Sequence, residues 1–170
     1  MSFASFLKLV EIQTKAASTL PFLLGTFYSL YRYKTFNPLN FTLMLLSLLC
    51  IDMFTTSLNN YFDFKRANKK HGYGYEKHNA VVKYNLKENT VLTVIYLLAA
   101  GAVVFGFALF LNTNLVVLLL GGFSFMTGLL YSFGPVPLSR TPFGEILSGT
   151  VMGFIIPFLA VYIHVVDHNV

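Results

Sequence analysis

The sequence predicts an all-α membrane protein, a polytopic bundle of about five transmembrane helices. Hydrophobic residues make up 55% of the chain, charged residues make up only 11%, and the mean hydropathy is +0.64. An ordinary soluble domain carries about 25% charged residues, so this composition excludes that class. The 18 Phe and 10 Tyr suit a chain whose helix ends are anchored at membrane surfaces. We therefore expect a lipid bilayer around the chain and no nucleic-acid partner.

Five apolar segments have the length to cross a bilayer, and they run over residues 16–31, 41–58, 91–111, 115–133 and 146–166. Ahead of the first segment, residues 1–15 carry an apolar stripe at helical spacing and no small-residue cleavage site. This pattern predicts an interfacial helix that leads into the first span. The third and fourth segments are separated only by Asn112, Thr113 and Asn114, which predicts a tight antiparallel hairpin.

The fifth segment contains three residues that bear on how its helix packs. Gly149 and Gly153 form a small-residue pair one helical turn apart, which predicts close packing against another helix. Pro157 lacks a backbone N–H and predicts a kink in the same helix.

Basic residues are distributed unevenly between the two sides of this predicted bundle. Ten of the twelve Lys and Arg residues fall on the side shared by the amino terminus, the 60–90 loop and the 134–145 loop. Only Arg32 and Lys34 fall on the other side. Because cytoplasmic loops carry the excess of Lys and Arg, we expect a multi-pass protein of the cell membrane with a cytoplasmic amino terminus. The basic loops suit anionic lipid headgroups or an anionic substrate.

A polar stripe runs along the second span at helical spacing, formed by Asp52, Thr56, Asn59 and Asp63. Ionisable groups are costly in hydrocarbon and normally face an internal cavity, so the stripe predicts a functional site inside the bundle. For Asp52, which lies deepest, a structural hydrogen bond to a neighbouring helix is favoured over a direct catalytic role.

Asn59 and Asp63 offer oxygen ligands one turn apart at the mouth of this span, the kind of ligand that Mg²⁺ takes. The alternative is a solvated helix end in which Asp63 pairs with Lys65 or Arg66. The residues by themselves leave these two interpretations open.

A second candidate segment, residues 131–145, contains two proline-flanked turns. Thr141 and Pro142 predict a helix start with a threonine cap and a proline in the first turn. Arg140 could hold a phosphate in bidentate fashion. From the residues alone, a well-capped helix start explains this segment.

Taken together, the two segments resemble the UbiA superfamily of membrane prenyltransferases. The closest branch prenylates 1,4-dihydroxy-2-naphthoate on the way to menaquinone. The run Asn-Asn-Tyr-Phe-Asp-Phe-Lys at 59–65 is similar to that branch's first metal motif, and residues 131–145 are similar to its loop between helices four and five. Residues 79–83 resemble its amide-rich turn with a basic residue. The resemblance extends from about residue 15 to residue 157 and implies the first half of a nine-helix bundle.

The resemblance implies transfer of a polyprenyl group from a polyprenyl diphosphate to an aromatic small molecule, with Mg²⁺ as cofactor. Asp63 would be catalytic and, with Asn59, would bind the metal. The basic residues that would contact the diphosphate are Lys65, Arg66, Lys83 and Arg140. The residues that would line the cavity are Asp52, Thr56, Asn60 and Tyr131.

The sequence departs from the family pattern at two places. Asn60 and Ala67 stand where the first motif usually has carboxylates, and Lys69 stands at the alternative position of the last one. The second Asp-rich motif of the family, which follows the fifth span, has no counterpart here. We therefore expect residues 1–170 to form a single prenyltransferase-like domain that is incomplete at its carboxyl end, with a missing carboxyl-terminal half as partner.

Two other functions compete with this one. A non-catalytic, degenerate or partner-dependent membrane protein of the same fold would also explain the missing carboxylates. A small transporter is disfavoured because the sequence has no inverted repeat and no pair of broken helices.

The predicted orientation can be tested by cysteine accessibility. In an Asn37→Cys variant the new thiol should react with an impermeant reagent applied outside the cell, and in a Gly74→Cys variant it should be spared. The reason is that Asn37 is predicted to lie outside and Gly74 in the cytoplasm. The reverse labelling pattern would overturn the topology.

Overall fold

A computed structural model describes residues 1–69, 79–133 and 137–166, without the side chains of 67–69 and Arg140. These residues form helices and no strand, which confirms the all-α prediction. Seven helices are numbered here in chain order: α1 Phe3–Leu9, α2 Ala16–Arg32, α3 Pro38–Lys69, α4 Ala80–Lys83, α5 Glu88–Leu111, α6 Leu115–Ser132 and α7 Pro142–Val165. Gly74, whose location was predicted above, lies outside the described residues, as do residues 134–136 of the second candidate segment.

Four of the described helices are long and apolar enough to cross a membrane, namely Pro38–Arg66, Glu88–Leu111, Leu115–Ser132 and Pro142–Val165. The remaining expected span corresponds to α2, which has 17 residues. At the rise of an α-helix it measures about 26 Å, a little less than the hydrocarbon core of a bilayer. All five expected segments are therefore helical, and the crossing of the membrane by α2 stays a prediction.

Helix α3 lies at the centre of the bundle and packs against α5, α6, α2 and α7. Its neighbour α5 runs antiparallel to it, since Ser47 donates to the carbonyl of Ala102 at 3.1 Å while Tyr61 meets Glu88 at the other end. In a bilayer such contacts depend on close van der Waals packing and interhelical hydrogen bonds rather than on water exclusion. Two buried apolar clusters, one around Phe22 and one around Phe54, fill the two ends of the bundle.

The expected hairpin between the third and fourth spans is confirmed, because α5 ends at Leu111 and α6 begins at Leu115. Asn114 caps α6 by accepting a hydrogen bond from the backbone N–H of Val116 at 3.1 Å. Its amide also donates to the hydroxyl of Tyr162 at 2.6 Å, which ties the hairpin to α7.

Helix α7 accommodates Pro157 by a wider turn. It is α-helical over Pro142–Thr150 and Ile156–Val165 and π-helical over Val151–Ile155, where the N–H of Ile156 bonds the carbonyl of Val151. A proline ring would clash with the carbonyl four residues earlier, and the π-turn relieves that clash. The predicted disturbance of the helix at Pro157 therefore takes the form of a π-turn.

Helices α2 and α7 are in close contact at Gly25. A Cβ placed at Gly25 would lie 2.5 Å from the carbonyl oxygen of Pro157 and 2.7 Å from the Cβ of Ala160. By contrast, no described atom lies within 4 Å of a Cβ placed at Gly149 or Gly153. The prediction that the Gly149 and Gly153 pair allows close packing is therefore wrong for the described residues, and Gly25 has that role.

At the end of the bundle opposite Asn59 and Asp63, hydrogen bonds connect the α2–α3 loop to the end of α7. The side chain of Asn37 caps α3 by accepting from the N–H of Asn40 at 3.0 Å, and its own N–H donates to Nδ1 of the buried His164 at 3.1 Å. Asn40 in turn donates to the carbonyl of Ile163 at 2.9 Å. These bonds set the end-to-end alignment of α3 and α7.

The contact at Gly25 leads to a stability prediction. Gly25→Ala should lower the free energy of unfolding by about 1 to 3 kcal/mol, because the added methyl group overlaps the backbone of Pro157. Thermal unfolding in detergent measures the effect, with Gly149→Ala as the matched control. The control has open space around its new methyl group and should be neutral or slightly stabilising. Equal effects of the two substitutions would contradict the packing described for α2.

Candidate active site

Asn59 and Asp63 lie side by side where α3 ends. The amide of Asn59 donates to Oδ2 of Asp63 at 3.3 Å, and the hydroxyl of Ser132 on α6 donates to Oδ1 of Asn59 at 3.4 Å. The Asp63 side chain keeps 31% of its surface exposed. The structure thus brings together the two predicted metal ligands, on the side of α3 that faces α6. We call this end of the bundle, marked by Asn59, Asp63, Ser132 and Glu88, the motif end.

Arg66 joins α3 to α6 beside this pair. Its Nη2 donates to the backbone carbonyl of Ser132 at 3.0 Å, and its Nη1 lies 3.7 Å from Oδ1 of Asp63. The guanidinium also lies over the ring of Phe62, 5.5 Å from its centre, and that ring packs edge-on against Phe133. A cation at the last carbonyls of α6 is favourable because those carbonyls form the negative end of the helix dipole. Arg66 is therefore held beside Asp63. This ion pair is one that the alternative interpretation, a solvated helix end, also predicted.

Lys65 is directed to a different helix. Its ammonium group forms an ion pair of 2.5 Å with Glu88 in the first turn of α5, and the Tyr61 hydroxyl donates to the same carboxylate at 2.8 Å. The structure therefore does not bring Lys65 together with Asp63, although both were predicted to act on one substrate. Their separation follows from helix geometry, because residues two apart point to opposite sides.

Asp52 forms a buried ion pair with a residue that sequence reasoning missed, Lys15. The ammonium group of Lys15 lies 2.6 Å from Oδ1 of Asp52 and also donates to the backbone carbonyl of Asp52 and to the Thr56 hydroxyl, both at 3.2 Å. The Ser18 hydroxyl donates to the other carboxylate oxygen at 2.5 Å. Only 5% of the Lys15 side chain and 12% of the Asp52 side chain are exposed. This is the structural bond to a neighbouring helix that the sequence favoured for Asp52.

Thr56 and Asn60 hold the segment that precedes α2. The Thr56 hydroxyl donates to the carbonyl of Val10 at 3.0 Å, and the Asn60 amide donates to the carbonyl of Leu9 at 3.1 Å and to the Glu11 carboxylate at 3.2 Å. We expected these side chains, with Asp52, to line an open cavity. Their polar groups are instead bonded to the amino-terminal segment, because buried polar groups need a protein partner where water is excluded.

The remaining predicted site residues lie outside α3. Asn79 caps α4 and donates to the carbonyl of Asn60 at 2.8 Å, which holds the amide-rich turn against α3. Lys83 is exposed, with its ammonium group 5.8 Å from the centre of the Tyr84 ring. Tyr131 is partly buried in the last turn of α6. The side chain of Arg140 lies outside the described atoms.

The predicted helix start at Thr141 is correct in position but not in its cap. Helix α7 begins with Pro142, as expected. The Thr141 hydroxyl, however, donates to the carbonyl of Leu138 at 2.9 Å rather than accepting from an N–H of the helix. The preceding turn at Leu138–Arg140 supplies this nearer acceptor, so the hydroxyl is used there.

The donor set at Asn59 and Asp63 fits a magnesium ion as part of its ligand shell. Mg²⁺ is commonly held by one or two carboxylates while waters and substrate phosphates complete its six ligands. Asp63 supplies one carboxylate, and Asn59 would supply a second oxygen after a flip of its amide. The described residues contain no cluster of three or more His, Cys, Asp or Glu that could hold a metal by itself. Further ligands would have to come from outside these residues.

Comparison with known proteins settles the family. The sequence matches the UbiA prenyltransferase family over residues 18–168. This chain is a member of the UbiA prenyltransferase family. It is also 32% identical over 159 residues to the 1,4-dihydroxy-2-naphthoate octaprenyltransferase of Bacillus subtilis (strain 168), a match that covers 92% of the chain and 50% of the relative. The chain thus spans half the length of that relative.

No solved structure gives a significant match. The resemblance inferred from the two motifs is nevertheless confirmed by the family match, and the four apolar helices agree with a multi-pass membrane protein of this family. The roles of the individual site residues stay predictions.

The buried ion pair leads to a second stability prediction. Lys15→Met should lower the free energy of unfolding by about 3 to 5 kcal/mol, because it leaves the Asp52 carboxylate buried without its cation. Unfolding in detergent measures the loss. Lys65→Met is the matched control and should cost much less, since the Lys65 and Glu88 pair is solvent-exposed. The double variant Lys15→Met, Asp52→Leu should recover much of the lost stability. Equal losses in the two single variants would show that the buried pair has no special role.

Proposed function

We propose that this chain supplies one half of the active site of a membrane polyprenyltransferase. The reaction transfers a polyprenyl group from a polyprenyl diphosphate to an aromatic acceptor. The observation that carries the proposal is the Asn59 and Asp63 pair at the end of α3, in a chain that belongs to the UbiA prenyltransferase family. The acceptor proposed is 1,4-dihydroxy-2-naphthoate, in menaquinone biosynthesis, and it is supported by the name of the Bacillus subtilis relative.

The side chains at the motif end suit a diphosphate leaving group. Asp63 and Asn59 would hold Mg²⁺ through their oxygens. Bound there, Mg²⁺ would neutralise part of the diphosphate charge as the carbon–oxygen bond breaks. Arg66 lies next to Asp63 and carries a fixed positive charge that can also bind phosphate oxygens. Stabilising the departing negative charge is the main electrostatic task in such a reaction.

The surroundings of the pair suit the other partners in the reaction. Phe62 and Phe133 pack against each other beside Asp63, 5.5 Å between ring centres. Such rings suit contact with an apolar isoprenoid chain. The apolar outer surfaces of the helices would keep the isoprenoid tail within the bilayer. We place the motif end on the cytoplasmic side of the cell membrane, on the basis of the uneven distribution of Lys and Arg.

A complete site needs more carboxylates than the described residues offer at the motif end. Asn60, which stands at a usual carboxylate position, is 8% exposed and is bonded to the amino-terminal segment. We therefore propose that a second membrane segment, equivalent to the other half of the relative, contributes further metal ligands. The alternative is a non-catalytic, degenerate or partner-dependent membrane protein of the same fold, which the internal bonding of Asp52, Thr56 and Asn60 favours. Reconstitution distinguishes the two.

The proposal predicts activity that depends on reconstitution. The 170-residue chain in liposomes, given Mg²⁺, a polyprenyl diphosphate and 1,4-dihydroxy-2-naphthoate, should yield no prenylated product above background. Addition of the carboxyl-terminal half of the relative as a separate chain should restore turnover. In the reconstituted mixture, Asp63→Asn should reduce the rate at least about a hundredfold, because the metal-binding carboxylate that this chain is predicted to contribute is lost.

The matched control is Glu11→Gln, which makes the same change from carboxylate to amide outside both candidate segments. The glutamine oxygen can still accept from the Asn60 amide, so the rate should stay within a factor of about two. Robust turnover by the chain alone would contradict the need for a second half. Failure of reconstitution, with both halves folded and associated, would favour the non-catalytic alternative.

A further inference from the structure

The arrangement around Arg66 bears on how the candidate site binds its ligands. We propose that Arg66 is a counter-ion of Asp63 that weakens the binding of a free divalent cation at Asp63 and favours the binding of a cation together with a diphosphate. This inference rests on the function proposed above and concerns the order and selectivity of binding at the same site.

The contact of Arg66 with the Ser132 carbonyl is stronger than its contact with Asp63. Arg66 can therefore exchange Asp63 for another anionic partner while it stays bonded to Ser132. Its Nη2 donates to the carbonyl of Ser132 at 3.0 Å, a well-formed hydrogen bond. Its Nη1 is 3.7 Å from Oδ1 of Asp63, which is an ion pair but is too long for a good hydrogen bond. The ring of Phe62 lies 5.5 Å from the guanidinium carbon. The charge of Arg66 is therefore held beside Asp63 by Ser132 and Phe62 even when Asp63 takes another partner.

The effect of the Arg66 charge depends on whether a divalent cation binds at Asp63 alone or together with a diphosphate. A free divalent cation at Asp63 would lie a few ångströms from the guanidinium, and like charges at that distance repel each other. A diphosphate bound with the cation makes the ligand negative overall, and Arg66 can then bind a phosphate oxygen in addition to the Ser132 carbonyl. Arg66 thus opposes the first ligand and favours the second. Both side chains are partly exposed, 23% for Arg66 and 31% for Asp63, so a ligand can reach them.

A purely structural role for Arg66 makes a different prediction. If Arg66 only tied α3 to α6, its removal would loosen the motif end and weaken the binding of every ligand there. A counter-ion has opposite effects on the two ligands, because its removal relieves the repulsion of a free cation and removes an attraction for the diphosphate. The signs of the two changes therefore separate the roles.

Lys87 provides a matched control for the charge itself. It carries the same charge as Arg66 at the motif end, where it directly precedes α5, and it is exposed. Lys87→Gln removes one positive charge from the same end of the bundle without changing the contact between Arg66 and Asp63. General attraction or repulsion by net charge would make Lys87→Gln and Arg66→Gln behave alike.

The experiment measures binding by the purified 170-residue chain in detergent, without turnover. The probe is Mn²⁺, with and without inorganic pyrophosphate, and the Mn²⁺ retained with the protein is measured by equilibrium dialysis. Affinities are compared at equal free Mn²⁺ concentration, because pyrophosphate itself binds Mn²⁺ in solution. The wild-type chain should bind Mn²⁺ weakly alone and at least about tenfold more tightly with pyrophosphate. Arg66→Gln should bind Mn²⁺ alone about tenfold more tightly than wild type and lose most of the gain from pyrophosphate. Lys87→Gln should stay close to wild type in both measurements.

The outcomes separate this inference from the proposed function. If Asp63→Asn abolishes Mn²⁺ binding while Arg66→Gln leaves it unchanged or weakened, the metal site stands and the counter-ion role is wrong. If Asp63→Asn has no effect on Mn²⁺ binding, the proposed metal site fails and the inference fails with it. Should Arg66→Gln not fold, the wild-type chain still decides, because equal Mn²⁺ affinity with and without pyrophosphate would overturn the proposal.

Discussion

The burial of polar side chains along α3 is the constraint on which the rest of this structure depends. A membrane-spanning helix can place a carboxylate at Asp52 only if the protein supplies partners, because hydrocarbon supplies none. Lys15 and Ser18 supply them, at 2.6 Å and 2.5 Å. This network anchors the start of α2 to the middle of α3. Farther along the chain, α2 is positioned by its packing against α7 at Gly25.

The polar residues of α3 divide into two adjacent stripes with different partners. Asp52, Thr56 and Asn60 are spaced four apart and bond to the amino-terminal segment. Asn59, Asp63 and Arg66 form the neighbouring stripe, which faces α6 and retains partly exposed charge. The first stripe stabilises the bundle, and the second has the groups that can act on a ligand. The two stripes lie side by side on α3. The hydrogen bonds of the first stripe therefore give the second stripe a rigid support.

The sequence predicted much of the fold because its main signals are local. Long apolar runs predicted the positions of the helices, and Asn112, Thr113 and Asn114 predicted the hairpin. The same reasoning erred where a residue's partner is distant in sequence. Gly149 and Gly153 were expected at a close helix contact, yet nothing lies within 4 Å of a Cβ placed there, whereas Gly25 on α2 allows the close contact with α7. Helical spacing identifies residues that share a face but not the helix which that face meets.

For this protein, the sequence by itself determined the membrane class, the helical architecture and the family, since hydropathy and motif order are properties of the chain alone. It also determined that Asn59 and Asp63 lie together, because four residues make one turn of a helix. Only the tertiary structure decided the partners of the charged groups. Lys65 pairs with Glu88, Arg66 lies beside Asp63, and Lys15 is buried against Asp52, although all three are simply basic residues in the sequence. Their differing roles arise from the packing of separate helices, which brings together charges that are distant along the chain.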